Sequence, residues 1–214
     1  MSFSGGDKLH SFVSKSIVKT MKNNWTSFLI MALLLASLGV QAQYEIKDKQ
    51  MSILGSSNLH DWESKVNTIK AGGDIQVEAG VLKGIKSLNV DIPVTSIKSP
   101  KGSIMDKKTY DALKSDKHPN ISFKLTKVNS LNKTGESYAI NATGNLTIAG
   151  VTKSTEITVT GKVAGDGSVK FEGSKKMKMT DFGIQPPTAL MGTMKTGDDI
   201  TIKFAVTLGK TSGS

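Results

Sequence analysis

From Tyr44 to Leu208 apolar residues recur at every second position, and that period restricts the chain to strands. Between Asp199 and Leu208, Ile200, Ile202, Phe204, Val206 and Leu208 alternate with Thr201, Lys203, Ala205 and Thr207. Successive side chains of a strand point to opposite faces, so one face meets a core and the other meets water. The pattern recurs at Leu88, Val90, Ile92 and Val94, at Ile121, Phe123 and Leu125, and at Tyr138, Ile140 and Ala142. It recurs again at Leu146 and Ile148 and at Thr155, Ile157 and Val159. Weaker strands are expected near Met51–Ser57, Trp62–Thr68 and Asp74–Glu78. Tight reversals are expected at Ala71-Gly72-Gly73 and Ala164-Gly165-Asp166-Gly167, and a hairpin at Ala149-Gly150-Val151-Thr152, because glycine accepts positive φ. About eight strands at regular turn spacing predict an all-β sandwich or barrel.

One segment breaks the period. Ser103 to Ser115 has Met105, Thr109, Ala112 and Leu113 at helical spacing, with Asp106 near its start and Lys114 near its end, which complements the helix dipole. His118-Pro119 stops it. A single short helix in an all-β chain is expected to cap one open end of a barrel, with Leu113 inside and Lys107 and Lys108 in water.

The run Phe28 to Val40 is almost wholly apolar and too short to span a bilayer as a helix. Lys22 precedes it, Val40-Gln41-Ala42 follows as a small-x-small pattern, and the whole reads as a signal peptide cut after Ala42. Met21 opens a compact signal, so residues 1–20 read as an upstream over-call of the start or a long leading segment. The expected organisation is an N-terminal extension and signal over 1–42, one β-barrel domain over 43–210, and a disordered tail over 211–214. No Cys follows the apolar run, which excludes a lipoprotein anchor, and the absence of Cys throughout excludes disulfides and thiolate metal sites.

The formal net charge is +10, and every basic residue is Lys. Nucleic-acid readers favour Arg and stacked aromatics, so no nucleic-acid partner is expected. Weak attraction to an anionic membrane surface is a more natural use of the charge. His60 and Asp61 are adjacent on a strand and face opposite ways, so they make a poor catalytic pair, whereas His60 and Trp62 share a face. Asp181-Phe182-Gly183 lacks the glycine-rich loop, strand lysine and catalytic loop that a kinase needs. No enzyme, cofactor or metal site is expected.

Gly144-Asn145-Leu146-Thr147-Ile148-Ala149-Gly150-Val151-Thr152-Lys153, His118-Pro119-Asn120-Ile121-Ser122-Phe123 and Asp181-Phe182-Gly183-Ile184 resemble, in order and spacing, the YceI-like family, and the likeness covers roughly Tyr44 to Leu208. This sequence looks like a divergent, Bacteroidetes-type branch. Met105-Asp106-Lys107-Lys108-Thr109 stands where the family often has Arg-Asp-x-His-Leu, and Met179 where it often has Arg. The resemblance implies a lipocalin-like extended antiparallel barrel, exported to the periplasm of a Gram-negative bacterium. It would hold a polyisoprenoid or similar long-chain lipid in a central tunnel without a catalytic step. The expected tunnel lining is Phe123, Leu125, Ile140, Leu146, Ile148, Phe171, Met177, Met179 and Phe182. His60, Trp62, His118, Met191 and Met194 are expected at the mouth or rim, where Met suits a ligand without one fixed shape. A bound isoprenoid or fatty-acyl lipid and a homodimer are both compatible with this reading. The alternative is a structural or interaction barrel with a filled core and no ligand.

Export with cleavage after Ala42 predicts that Edman sequencing of the periplasmic protein begins at Gln43. A membrane-bound product retaining residues 1–42 is the outcome that refutes it.

Overall fold

Two-residue turns with left-handed backbone set the strand register. The computed structural model describes residues 43–211; the expected leader over 1–42 and the tail residues Ser212–Ser214 lie outside the described residues. Ala79 (φ 47°) and Gly80 (φ 75°) join β3 (Lys70–Glu78) to β4 (Val81–Pro93). Ala149 (φ 50°) and Gly150 (φ 84°) join β7 (Ser137–Ile148) to β8 (Val151–Val163), as the hairpin reading required. Positive φ at both central residues matches the right-handed twist of the flanking strands. Gly135-Glu136 closes β6 (Asn120–Thr134) onto β7, and Ala164 to Ser168 closes β8 onto β9 (Val169–Lys178).

The Ala71-Gly72-Gly73 reversal is absent: all three residues lie inside β3. A Cβ at Gly73 would collide with the backbone carbonyl of Ser87, and one at Gly72 would lie 3.1 Å from the Tyr44 carbonyl oxygen. Glycine stands here because strands approach closely, not because the chain turns.

Eight antiparallel strands close into a barrel. The order runs β1 (Gln43–Ser57), β3, β4, β6, β7, β8, β9 and β11 (Met194–Lys210), and β11 then pairs with β1. The far half of β1 also pairs with β2 (Asp61–Val66), which carries β5 (Ile97–Lys98). The two-residue β10 (Thr188–Ala189) pairs with the start of β11. The walls are not laddered evenly: β8 pairs with β9 only from Val159 to Val163, and β4 pairs with β6 only from Asn89 to Pro93. Thr211, expected in the disordered tail, is tied to β1, since its N–H donates to the Gln43 carbonyl at 2.8 Å.

The one α-helix among the described residues, α1 (Ser103–Ala112), is shorter than its helical spacing suggested. Lys114 adopts φ 54°, and the Ser115 and Lys114 N–H groups donate back to the Tyr110 and Asp111 carbonyls, a left-handed C-cap that ends the helix.

The interior divides along the barrel axis. At one end Tyr44, Ile75, Leu82, Tyr138, Ile140, Val169, Phe171 and Leu208 form a filled core. At the other, beneath α1, a cluster of Leu146, Ile148, Met179, Phe182 and Ile184 leaves space.

Gly73→Ala is expected to lower stability by on the order of 1–3 kcal/mol through collision with the backbone of β4. Gly165→Ala, with nothing within 4 Å of its Cβ position, should change it by less than about 0.5 kcal/mol. Urea melts of both variants check this; equal midpoints would contradict the close-approach account.

Candidate functional site

The open half of the barrel exists because α1 is held above it on both sides. On one side Asp106, buried, accepts the Ser99 N–H at 2.7 Å and pairs with Lys98 at 3.3 Å. The Tyr110 hydroxyl donates toward the carbonyls of Thr95 (2.8 Å) and Ile97 (3.1 Å) while accepting from the Lys98 ammonium at 2.6 Å. The bond to Tyr110, with Asp106 beside it, raises the pKa of Lys98 above the ordinary lysine value. On the other side the Lys108 ammonium donates to the Thr188 carbonyl at 3.0 Å. Lys108 was expected in water; instead its half-buried side chain bridges the helix to β10. Lys107 is exposed as expected.

Between α1 and the barrel end lies a cavity of about 150 Å³, lined by Met105, Thr109 and Ala112 of the helix, by Leu113 at its C-cap, by Ile97 of β5, and by Ile53, Ile121, Ile200 and Ile202 of the barrel wall. As space open to the centres of water molecules, that is room for on the order of ten waters. The described lining is almost wholly apolar and contains no Asp or Glu. Its exposed members His60, Lys101 and Lys178 mark where it meets solvent.

Beyond β9 the chain turns inward. Thr180 donates from its N–H (2.9 Å) and its hydroxyl (2.7 Å) to the Asp198 carboxylate, and Met179 N–H donates to the Asp198 carbonyl at 2.9 Å. The Thr180 hydroxyl first, and then its N–H, hold the pKa of Asp198 below the usual carboxylate value. This clamp seats Phe182, only 3% exposed, in the cavity wall.

Of the expected lining, Ile148, Met177, Met179 and Phe182 reach the cavity. Leu146 and Phe123 belong to the adjoining cluster but do not face the space. The Phe123 ring occupies the space over Gly144 on the neighbouring strand, where any Cβ would strike it. Leu125 is half-buried farther along β6, away from the cavity. Ile140 and Phe171 sit in the filled half, because the inward face of a long strand passes through both ends of the barrel.

Of the expected rim, His60, Trp62 and Met194 line the cavity. The Trp62 ring lies over Gly55 and its indole N–H donates to the Ser56 carbonyl at 3.0 Å. His118 does not reach the cavity; its ring packs over Gly150 of the β7–β8 turn. Met191 does not line it either; the side chain is fully exposed and its backbone stands at φ 53°. Sequence reasoning missed Ile53, Ile97, Ile184, Ile200 and Ile202. The alternation of β11 marked Ile200 and Ile202 as inward-facing, but period alone does not say which end of a strand meets open space.

A closed antiparallel barrel of eight strands with one capping helix over an apolar cavity is a lipocalin-like architecture. Residues 44–208 match the model of the YceI-like domain, and the chain belongs to that family. A UPF0312 protein of Azotobacter vinelandii is 36% identical over 85 residues, covering 36% of this chain and 41% of that protein. A UPF0312 protein of Pseudomonas aeruginosa is 39% identical over 82 residues, covering 35% of this chain and 39% of that one. The matched stretch thus spans about two fifths of these relatives. Among solved structures, a polyisoprenoid binding domain from Saccharophagus degradans superposes with a TM-score of 0.63 at 10% identity, covering 78% of this chain and 98% of that one. Burkholderia cenocepacia BcnA gives 0.59 at 20% identity, covering 76% and 96%. Both likenesses are of fold.

Leu113→Asp places a carboxylate against apolar cavity wall and should destabilise the protein by on the order of 2–5 kcal/mol. Lys107→Asp should shift stability by less than about 0.5 kcal/mol. Denaturant midpoints of the two variants give the comparison, and a silent Leu113→Asp would mean that α1 does not pack on the barrel.

Proposed function

We propose that this chain binds a polyisoprenoid or similar long-chain apolar lipid in the cavity beneath α1, in the periplasm and without a catalytic step. The observation that carries this reading is the cavity itself: an apolar, carboxylate-free space at one end of a barrel whose other end is filled. Ligand sites are concave and mostly apolar, with a few polar groups that orient the ligand. Met105, Met177, Met179 and Met194 line the space, and unbranched thioethers adapt to a flexible tail. The family match begins at Tyr44, just past the expected cleavage after Ala42, which is consistent with export of the barrel alone. The tail would enter from the α1 end and stop against Ile140 and Phe171.

A second reading, a structural barrel without ligand, draws on the tight packing of that far half. The two part in one experiment. Native mass spectrometry and solvent extraction of freshly purified protein should release an apolar long-chain lipid. Ile148, 4% exposed and facing the cavity, then supplies the control. Ile148→Trp should fill space otherwise given to the lipid, abolishing uptake while costing less than the ~1–3 kcal/mol of overpacking in a solid core. A parent that never carries lipid, with a badly destabilised Ile148→Trp, would leave the structural reading.

A further inference from the structure

Among the described residues three large apolar side chains stand exposed: Leu59 (60%), Ile104 (75%) and Met191 (fully). They come from three separate parts of the chain, yet each sits between residues that line the cavity. Leu59 lies between Ser57 and His60, Ile104 between Lys101 and Met105, and Met191 between Pro187 and Met194. Hydrogen bonds join the three segments into one rim. Asn58 donates its side-chain amide to the Thr193 carbonyl at 2.9 Å and accepts the Lys195 N–H at 2.8 Å, tying the β1–β2 turn to the β10–β11 loop. Lys108 ties α1 to β10. Met191 is held in left-handed backbone, φ 53°, within that loop.

The rim is also positively charged. Segments 57–61, 99–108 and 187–196 carry Lys101, Lys107, Lys108 and Lys195 against Asp61 and Asp106, and Asp106 is buried and paired with Lys98. Apolar tips among lysines are the chemistry of a surface that inserts shallowly into the interface of an anionic bilayer. We propose that this rim docks the barrel on a membrane bearing anionic phospholipid, with Leu59, Ile104 and Met191 in the interface and the cavity mouth facing the lipid. The inference rests on the cavity as a lipid site. It gives that site a direct route of loading, because a tail leaving the bilayer meets the mouth without crossing water.

The test is co-sedimentation of the exported protein with vesicles of phosphatidylcholine alone and of phosphatidylcholine with phosphatidylglycerol. Binding is expected to the anionic vesicles and to weaken with salt. The triple variant Leu59→Asp, Ile104→Asp, Met191→Asp should bind on the order of tenfold more weakly or worse. Lys101→Gln with Lys107→Gln should lose on the order of fivefold per lysine. All five side chains are exposed, so the thermal melts should match the parent's. Farnesol presented in dilute solution should enter the triple variant as readily as the parent, which separates docking from cavity binding. A parent that takes up farnesol but ignores anionic vesicles overturns the docking face and leaves the cavity reading intact. Vesicle binding lost in the triple variant, from a parent that takes up no farnesol, supports the face and removes the cavity reading. Equal vesicle binding by the parent and the triple variant overturns the proposal. So does a dimer that dissociates on Ile104→Asp without any vesicle binding, since it would assign the rim to a second copy.

Discussion

The fold depends on the pairing of its first and last long strands. β1 and β11 run antiparallel from Tyr44↔Lys210 to Ser57↔Thr196, and this ladder turns an open sheet into a barrel. An unclosed sheet would present two rows of unpaired N–H and C=O groups; closure satisfies both. Because the paired residues are far apart in sequence, the ladder carries a large loop-closure entropy, offset by the interior it seals. β1 also does a second thing: Gln43–Glu45 pair with β3 and Ser52–Ser56 with β2. Ile53 and Ser57, in and just beyond the part paired with β2, line the cavity, so the strand that closes the barrel also borders its open end.

The two ends are built from different chemistry. In the filled half, buried tyrosines anchor to backbone: Leu82 N–H donates to the Tyr138 hydroxyl at 3.0 Å, and the Tyr44 hydroxyl donates to the Gly167 carbonyl at 3.1 Å. Burial, with the charge of Asp166 nearby, raises the pKa of Tyr44, so the hydroxyl keeps its proton and its bond. Such fixed partners favour one packing. In the open half the space is bordered chiefly by Ile, Met, Leu and Phe, with a few hydroxyls such as Ser64 and Thr109 among them. An apolar space of this kind gains little from water and more from an apolar guest. Glycines leave room for aromatic rings beside this half, Trp62 over Gly55 and Phe123 over Gly144.

The capping helix joins these themes. It is short and only weakly amphipathic, so isolated helix stability contributes little. Asp106 and Tyr110 hold it on one side, outside the cavity lining, and Lys108 holds it on the other, where it also borders the cavity. Between these tethers Met105, Thr109, Ala112 and Leu113 meet the cavity.

The alternation of apolar residues determined the all-β fold, the inward face of each long strand, and the helix that interrupts them. Ala149-Gly150 was legible as a hairpin because positive φ has a residue-level cost that glycine removes. The motif in β7 pointed to the family, and the helical spacing of Met105, Thr109, Ala112 and Leu113 pointed to the cavity side of α1. The tertiary structure decided where along the strands the space lies. Ile140 and Ile148 share one face of β7, yet one is sealed in solid core and the other borders the cavity. Gly72 and Gly73 read as a turn but mark a close approach, and His118 reads as rim but packs on the β7–β8 turn. Period records only which side of a strand is buried. Which strands fork, which part, and what lies opposite depend on partners far away in the chain, and no local pattern carries that information.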